Sequence, residues 1–284
     1  MVYLRMQYIS FNGKLYPENA SVTQVSNRGF RYGDGLFETM KMLDGNLLQQ
    51  ALHFKRLFAG MQVLQFEPPK HFTEENLVMA VKKLAKKNGH ENGARVRLTL
   101  FRGNGGLYDA ISHAPDYIIE TWGLPNEAGQ WNSNGLIAGI YTEVKKSCDI
   151  LCNLKHNNFL PYVLAALKAK KEKWNDALVL NQYGRVADAT IANIFVVKNG
   201  EIFTPALAEG CVAGVMRHEL IIFFQRENFI IHEMQMTTDF VLDADEVFFT
   251  NSIYTMRWVQ CIDDSYYSNA FTQKIFALFW PTIC

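Results

Sequence analysis

Long apolar runs are missing from this 284-residue chain. No stretch approaches the roughly 18 apolar residues that a membrane-spanning helix needs. The opening "MVYLRMQYISFNGK" lacks the basic-then-apolar order of a secretory signal. Neither sign of charge dominates, since 28 Lys+Arg balance 28 Asp+Glu. That balance removes the electrostatic reason to expect a nucleic-acid or anionic-membrane partner. Cysteine is sparse and odd in number: Cys148, Cys152, Cys211, Cys261 and Cys284. No second Cys/His pair lies near Cys148 and Cys152 to complete a zinc pattern, so no metal site is expected and the thiols read as reduced. Internal repeats and low-complexity tracts are absent as well. What remains is a cytoplasmic globular protein, 49% apolar and 20% charged, with a partner among small molecules.

The chain has enough residues for two modest domains. "MQYISFNGKLY" alternates around Asn-Gly, a hairpin signal, and "GLFETMKMLDGNLLQQ" repeats the pattern around Asp44-Gly45. "ALHFKRLFAGMQVLQF" carries Leu52, Leu57, Met61 and Leu64 at helical spacing. "TEENLVMAVKKLAKKNGH" has Thr73 at its start, acids in its first turn, lysines in its last, and Asn88-Gly89 as its stop. "ARVRLTLFRGNGG" and "DYIIETWGL" read as strands. "PNEAGQWNSNG" reads as a linker. We therefore expect a small α/β domain over 1–122, a linker over 123–131 and a larger domain over 132–284. The second holds strands in "DALVLNQYGRVAD", "NIFVVKNGEIFTP" and "DEVFFTNSIYTMRWV". It also holds helices after Lys155, in "GVMRHELIIFFQREN" and at the aromatic C-terminus.

Several residues have chemistry to offer. Lys155 precedes a helix that Asn157 or Asn158 is placed to cap, with Pro161 in its first turn. An amine becomes a nucleophile when burial or a nearby cation lowers its pKa. "GCVAGVMRHEL" puts glycines before a helix, where the amides of Gly214, Val215 and Met216 form an anion site or a plain turn. In "FFTNSIY", Thr250, Asn251 and Ser252 follow a strand and suit either a ligand or a turn. Arg56, in "HFKRLF", suits bidentate phosphate binding or a solvated face. Asp188 is a turn residue or the partner of a buried cation. Tyr32 and Glu38 belong to a cleft or to a glycine-rich turn. Together these are an amine, an acid, an arginine and a nest of amides, which is what pyridoxal 5′-phosphate (PLP) requires.

In order, "NRGFRYGDGLFETM", "HFKRL", "LKHNNFLPYVLA", "GCVAGVMR" and "FFTNS" resemble the fold-type-IV PLP enzymes. That family includes branched-chain and D-amino-acid aminotransferases and 4-amino-4-deoxychorismate lyases. The resemblance implies a mixed α/β (α+β), two-domain D-amino-acid aminotransferase-like fold with a β-barrel-like core in the larger domain. It implies Lys155 as the Schiff-base lysine, Arg56, Val215, Met216, Asn251 and Ser252 around the cofactor phosphate, and Asp188 at the ring nitrogen. The family usually has glutamate at that last position, one methylene longer. Tyr32 is a pocket wall by the same likeness. Arg102 either meets a substrate carboxylate or is a strand-end surface arginine. "KHNN" and "GVMR" resemble the lyases, which release pyruvate to form 4-aminobenzoate for folate biosynthesis. The loop "RGNGGLYD" lacks the second arginine expected of a lyase, so a class IV aminotransferase is the alternative. A catalytically weak PLP-binding homologue is a second alternative. The family also implies a homodimer.

Overall fold

The computed structural model describes residues 6–283, so Cys284 lies outside the described residues. The chain divides into two compact units. One runs to Pro125 and includes Leu154–Asn158; the other holds Asn126–Asn153 and Phe159 onward.

The first unit contains β1 (Tyr8–Phe11), β2 (Lys14–Pro17), α1 (Arg28–Tyr32), β3 (Gly35–Leu43), β4 (Asn46–Leu47), α2 (Gln50–Val63), α3 (Glu74–Asn88), β5 (Gly93–Arg102) and β6 (Pro115–Gly123). Its six strands form one antiparallel sheet in the order β2-β1-β6-β5-β3-β4. The first hairpin turns where expected, with Asn12 and Gly13 both at positive φ (48° and 79°), the backbone a two-residue hairpin loop demands. Thr73 caps α3 by accepting from the Asn76 N–H, and Gly89 ends it in the left-handed region. The strand period then divides the sheet. Leu36, Met40 and Met42 of β3 and Ala94, Val96, Leu98 and Leu100 of β5 join Phe54, Leu57 and Met61 of α2 in the core. Phe37, Thr39, Arg95, Arg97 and Thr99 alternate with them and take the other face.

Lys155 enters this unit differently from the helix-end reading. Residues 155–157 pair with the start of β3: the Phe37 N–H donates to Lys155 O (2.8 Å) and the Asn157 N–H donates to Gly35 O (2.9 Å). Gly35 permits the approach, because a Cβ there would stand 2.2 Å from Leu100 O and 2.5 Å from Asn157 Nδ2. Neither Asn157 nor Asn158 caps the next helix. That helix starts at Leu160, with Phe159 at its N-cap and no side-chain cap bond. Pro161 does occupy its first turn.

The second unit contains β7 (Leu136–Lys146), α4 (Leu160–Glu172), β8 (Asp176–Asn181), β9 (Val186–Ala189), β10 (Asn193–Lys198), β11 (Glu201–Pro205), α5 (Val215–Arg226), β12 (Ile231–Met234), α6 (Thr238–Leu242), β13 (Glu246–Asn251), β14 (Thr255–Ile262), β15 (Ser265–Tyr266) and α7 (Ala270–Phe279). Its nine-stranded sheet runs β12-β11-β10-β13-β14-β7-β8-β9, with β15 on β14. β9, at one end of that path, packs back against β10 and β11, so the sheet curls toward a barrel. Its strands β8 to β10 are buried almost throughout, as strands covered on both faces are. The four described cysteines are free thiols. No helix among the described residues is long and apolar enough to cross a membrane.

Candidate active site

The first unit brings an acid, an imidazole and a guanidinium together beside the Lys155 segment. Glu38 of β3 lies on the core face and is 1% exposed. On α2, His53 and Arg56 are three residues apart and share a face. Both reach Glu38: Arg56 Nε donates to Oε1 (2.8 Å), Arg56 Nη2 donates to Oε2 (2.5 Å), and His53 Nδ1 is 2.7 Å from Oε2. Burial works to raise the Glu38 carboxyl, but the Arg56 charge and the His53 contact outweigh it and hold it at about 2. Burial lowers the His53 imidazole; its bond to Glu38 opposes this, and the charges of Arg56 and Lys155 add to the lowering. A neutral ring beside a carboxylate donates from Nδ1. That leaves His53 Nε2 as a buried atom with no partner.

On the opposite face of the sheet, one phenyl ring meets two cations. Lys155 Nζ is 4.5 Å from the Phe37 centroid and Arg97 Cζ is 4.0 Å from it. Arg97 Nε donates to Thr99 Oγ1 (3.1 Å). Burial disfavours the Arg97 charge, and the nearby Glu120 carboxyl opposes that effect. A half-buried guanidinium stacked on a ring beside an amine is suited to an anionic ligand.

Other candidates from the sequence are placed differently. Arg102 is buried, not a surface arginine. Its Nε donates to Asp34 Oδ2 (3.0 Å), and its Nη atoms meet Gln65 O (3.3 Å), Leu64 O (2.5 Å) and His113 Nδ1 (2.8 Å). The guanidinium also covers the Phe66 ring. Tyr32 ends α1, is exposed, and carries the Arg28 guanidinium over its ring at 5.2 Å. Glu38 faces the packed interior and not a cleft.

The second unit holds Asp188 in β9, buried among donors. Lys146 Nζ donates to its Oδ2 (2.9 Å), as do the Tyr162 hydroxyl (2.7 Å) and the Val212 N–H (3.0 Å); Asn193 Nδ2 donates to Oδ1 (2.8 Å). Of the two readings open for Asp188, turn residue or partner of a buried cation, the structure shows the second. Burial drives the Tyr162 phenol well above its usual range, and the Asp188 charge adds to that, so it remains a donor. Val215 and Met216 open α5, whose N-cap Gly214 makes no side-chain cap bond. A Cβ on Gly214 would lie 1.8 Å from Asn193 Oδ1, so the backbone passes Asn193 as only glycine can. The first amides of a helix have no intrahelical acceptor. Asn251 Oδ1 accepts from the Ile253 and Tyr254 N–H groups (3.0 and 2.9 Å). This turn leaves Ser252 half-buried at its corner.

The family model for amino-transferase class IV matches residues 35–262. The chain belongs to the class IV aminotransferase family. It is 31% identical over 231 residues to an aminodeoxychorismate lyase of Vibrio harveyi, covering 81% of this chain and 83% of that protein. It is 29% identical over 247 residues to a putative branched-chain-amino-acid aminotransferase of Methanocaldococcus jannaschii, covering 86% and 84%. Its fold is similar to that of a Thermus-type branched-chain amino acid aminotransferase solved with pyridoxamine 5′-phosphate, at a TM-score of 0.86 and 21% identity, covering 98% of this chain and 94% of that one. This class IV chain is thus a fold-type-IV, PLP-dependent enzyme. Its residues fit the cofactor: an amine in Lys155, a buried carboxylate with a counter-ion in Asp188, and uncapped amides at the start of α5.

Sequence reasoning missed four of these participants. His53 and Arg97 had a local signal. His53 stands one helical turn from Arg56, and Arg97 interrupts the apolar alternation of β5 on its second face. Lys146 and Tyr162 had none, because only the fold brings them to Asp188.

Proposed function

We propose that this class IV enzyme is a lyase acting on 4-amino-4-deoxychorismate, releasing pyruvate and leaving 4-aminobenzoate. The observation that carries this reading is the pairing of Lys155 and Arg97 on Phe37. An amine that bonds to the cofactor stands beside a cation suited to a carboxylate, and the substrate carries both an amino group and carboxylates. The Lys155-His156 pair and the likeness to the Vibrio lyase favour the lyase over a transaminase. When bound, PLP supplies an aldehyde that joins the substrate's amine and a ring that holds carbanion charge.

In this reading Lys155 first holds the cofactor. Once displaced by the substrate amine, it removes the proton from the ring carbon beside that nitrogen. The electron pair left behind forms the aromatic ring as the enolpyruvyl oxygen departs. Arg97 holds a carboxylate. Arg56, oriented by Glu38, meets the phosphate with the amides of Val215 and Met216 and the Ser252 hydroxyl. Asp188 meets the ring nitrogen. Glu38, Arg102 and Tyr32 stay out of the chemistry: the first orients Arg56, the second ties loops together, and the third is a surface wall.

The second reading, an aminotransferase for branched-chain or D-amino acids, is favoured by one observation: Arg102 is committed to Asp34, Leu64, Gln65 and His113, and no second arginine follows it in its loop. One assay separates the two. Purified enzyme is given 4-amino-4-deoxychorismate with no keto acid, and pyruvate is measured. Pyruvate release at a stoichiometry of one per 4-aminobenzoate supports the lyase. Turnover that depends on an added keto acid replaces it with the transaminase. A homodimer in the cytoplasm belongs to the same reading, and light scattering on the purified protein tests the dimer.

A further inference from the structure

We infer that Lys146 and Tyr162 are positioning residues that clamp Asp188 so that Oδ1 alone is left to meet the cofactor's ring nitrogen, in a surround sized for aspartate. This rests on the reading that Asp188 is that nitrogen's acid partner.

The donors come from separate places in the fold. Lys146 is the last residue of β7, Tyr162 lies in the first turn of α4, Asn193 opens β10, and Val212 precedes α5. All three donor side chains are buried, as is Asp188 at 1% exposure. A carboxylate offers about two acceptor sites per oxygen. Oδ2 already takes three donors and is saturated, whereas Oδ1 takes only Asn193 Nδ2. Each donor is itself held. Lys146 Nζ also donates to Cys152 O (3.4 Å) and lies 4.9 Å over the Tyr162 ring. Tyr162 stacks on Phe159 at 4.4 Å. Asn193 Nδ2 also donates to Val212 O (2.9 Å). With bonds on both oxygens from four directions, the carboxylate cannot turn without breaking one.

The same shell explains how the shorter acid serves. The donors have closed in to aspartate's reach. A glutamate would push its carboxylate about one C–C bond further, into Lys146 or the Tyr162 hydroxyl. Putting back the residue usual in the family is therefore harmful here.

The test titrates PLP into apoprotein and follows the visible band at about 410–430 nm across pH. It uses wild type, Lys146→Met, Tyr162→Phe, Asp188→Glu and the Tyr162→Phe/Asp188→Glu double variant. Each single change is expected to weaken PLP binding about ten- to hundredfold, the worth of a hydrogen bond to a charged group. Tyr162→Phe is also expected to move the pH midpoint of the band, which a purely structural contact would not do. The double variant is expected to bind better than the product of its single effects, because the lost hydroxyl makes room. Asp188→Glu that binds as tightly as wild type, or single effects that simply multiply, overturns the inference while leaving the PLP reading intact. A wild type with no band and no PLP binding overturns the reading itself and this inference with it. If Asp188→Glu fails to fold, Tyr162→Phe decides alone: unchanged affinity and an unchanged band midpoint overturn the inference.

Discussion

Lys155 and Arg97 share the ring of Phe37, with their charged atoms 4.5 and 4.0 Å from its centre. They arrive there by different routes, one from a segment paired to the start of β3, the other from the middle of β5. The negative face of an aromatic ring attracts both an amine and a guanidinium, and so holds two like charges near each other. An anionic substrate completes the arrangement.

Arg97→Gln is expected to lower kcat/KM by about ten- to hundredfold, through loss of a charge-assisted contact to the substrate carboxylate. PLP affinity and the visible band should stay as in wild type. Steady-state kinetics beside a PLP titration check both. An unchanged kcat/KM would remove Arg97 from the site.

Arg102→Met should act on stability and leave substrate recognition alone. It strips Asp34 of a buried partner and leaves Leu64 O, Gln65 O and His113 Nδ1 without their donor. Breaking a buried pair costs about 3–5 kcal/mol. Urea unfolding measures this loss. A raised KM in a variant of undiminished stability would instead make Arg102 a substrate ligand.

Lys155→Ala should abolish borohydride trapping of the cofactor and lower turnover by about 10³-fold, the scale of a lost general base and nucleophile. Mass spectrometry of the reduced protein checks the attachment point. Trapping that persists in this variant would move the reactive amine elsewhere.

The Glu38 cluster sets an acid limit on stability. The Glu38 carboxyl lies at about 2 in the folded protein against an ordinary value of 4.5. Its folded value is depressed, so its contribution is complete above about pH 4.5 and is lost as pH falls toward 2. The difference corresponds to about 3 kcal/mol. His53, also lowered, binds its proton in the unfolded chain first, so stability falls further as pH drops below about 6.5. Unfolding measured from pH 8 to pH 3 should show both limbs. In Glu38→Gln the lower limb should vanish, and the protein should be weaker at neutral pH because Arg56 loses its counter-ion. An acid profile identical to wild type would contradict the assignment.

Local signals carried much of the architecture. Asn12-Gly13 fixed a hairpin because two left-handed residues in a row suit that turn. Thr73 and Gly89 bounded α3 because each satisfies backbone groups at a helix end. The alternation in β3 and β5 marked their buried face, since apolar residues two apart share one side of a strand. The ordered motifs around Arg56, Lys155, Asp188 and Val215 named the family. Those are properties of neighbours in the chain, so the sequence alone was enough.

The tertiary structure decided what each of these residues touches. Asn157 has the local pattern of a helix cap, yet its segment pairs with β3, a partner more than a hundred residues away in sequence. Arg102 stands at a strand end, yet it is locked in the interior by loops that close over it. Lys146 and Tyr162 carry no local pattern at all. They meet Asp188 because the curling of the large sheet returns β9 to the ends of β7 and α4. Hydrogen bonds between residues far apart in sequence depend on such closure, and no window of neighbouring residues contains it.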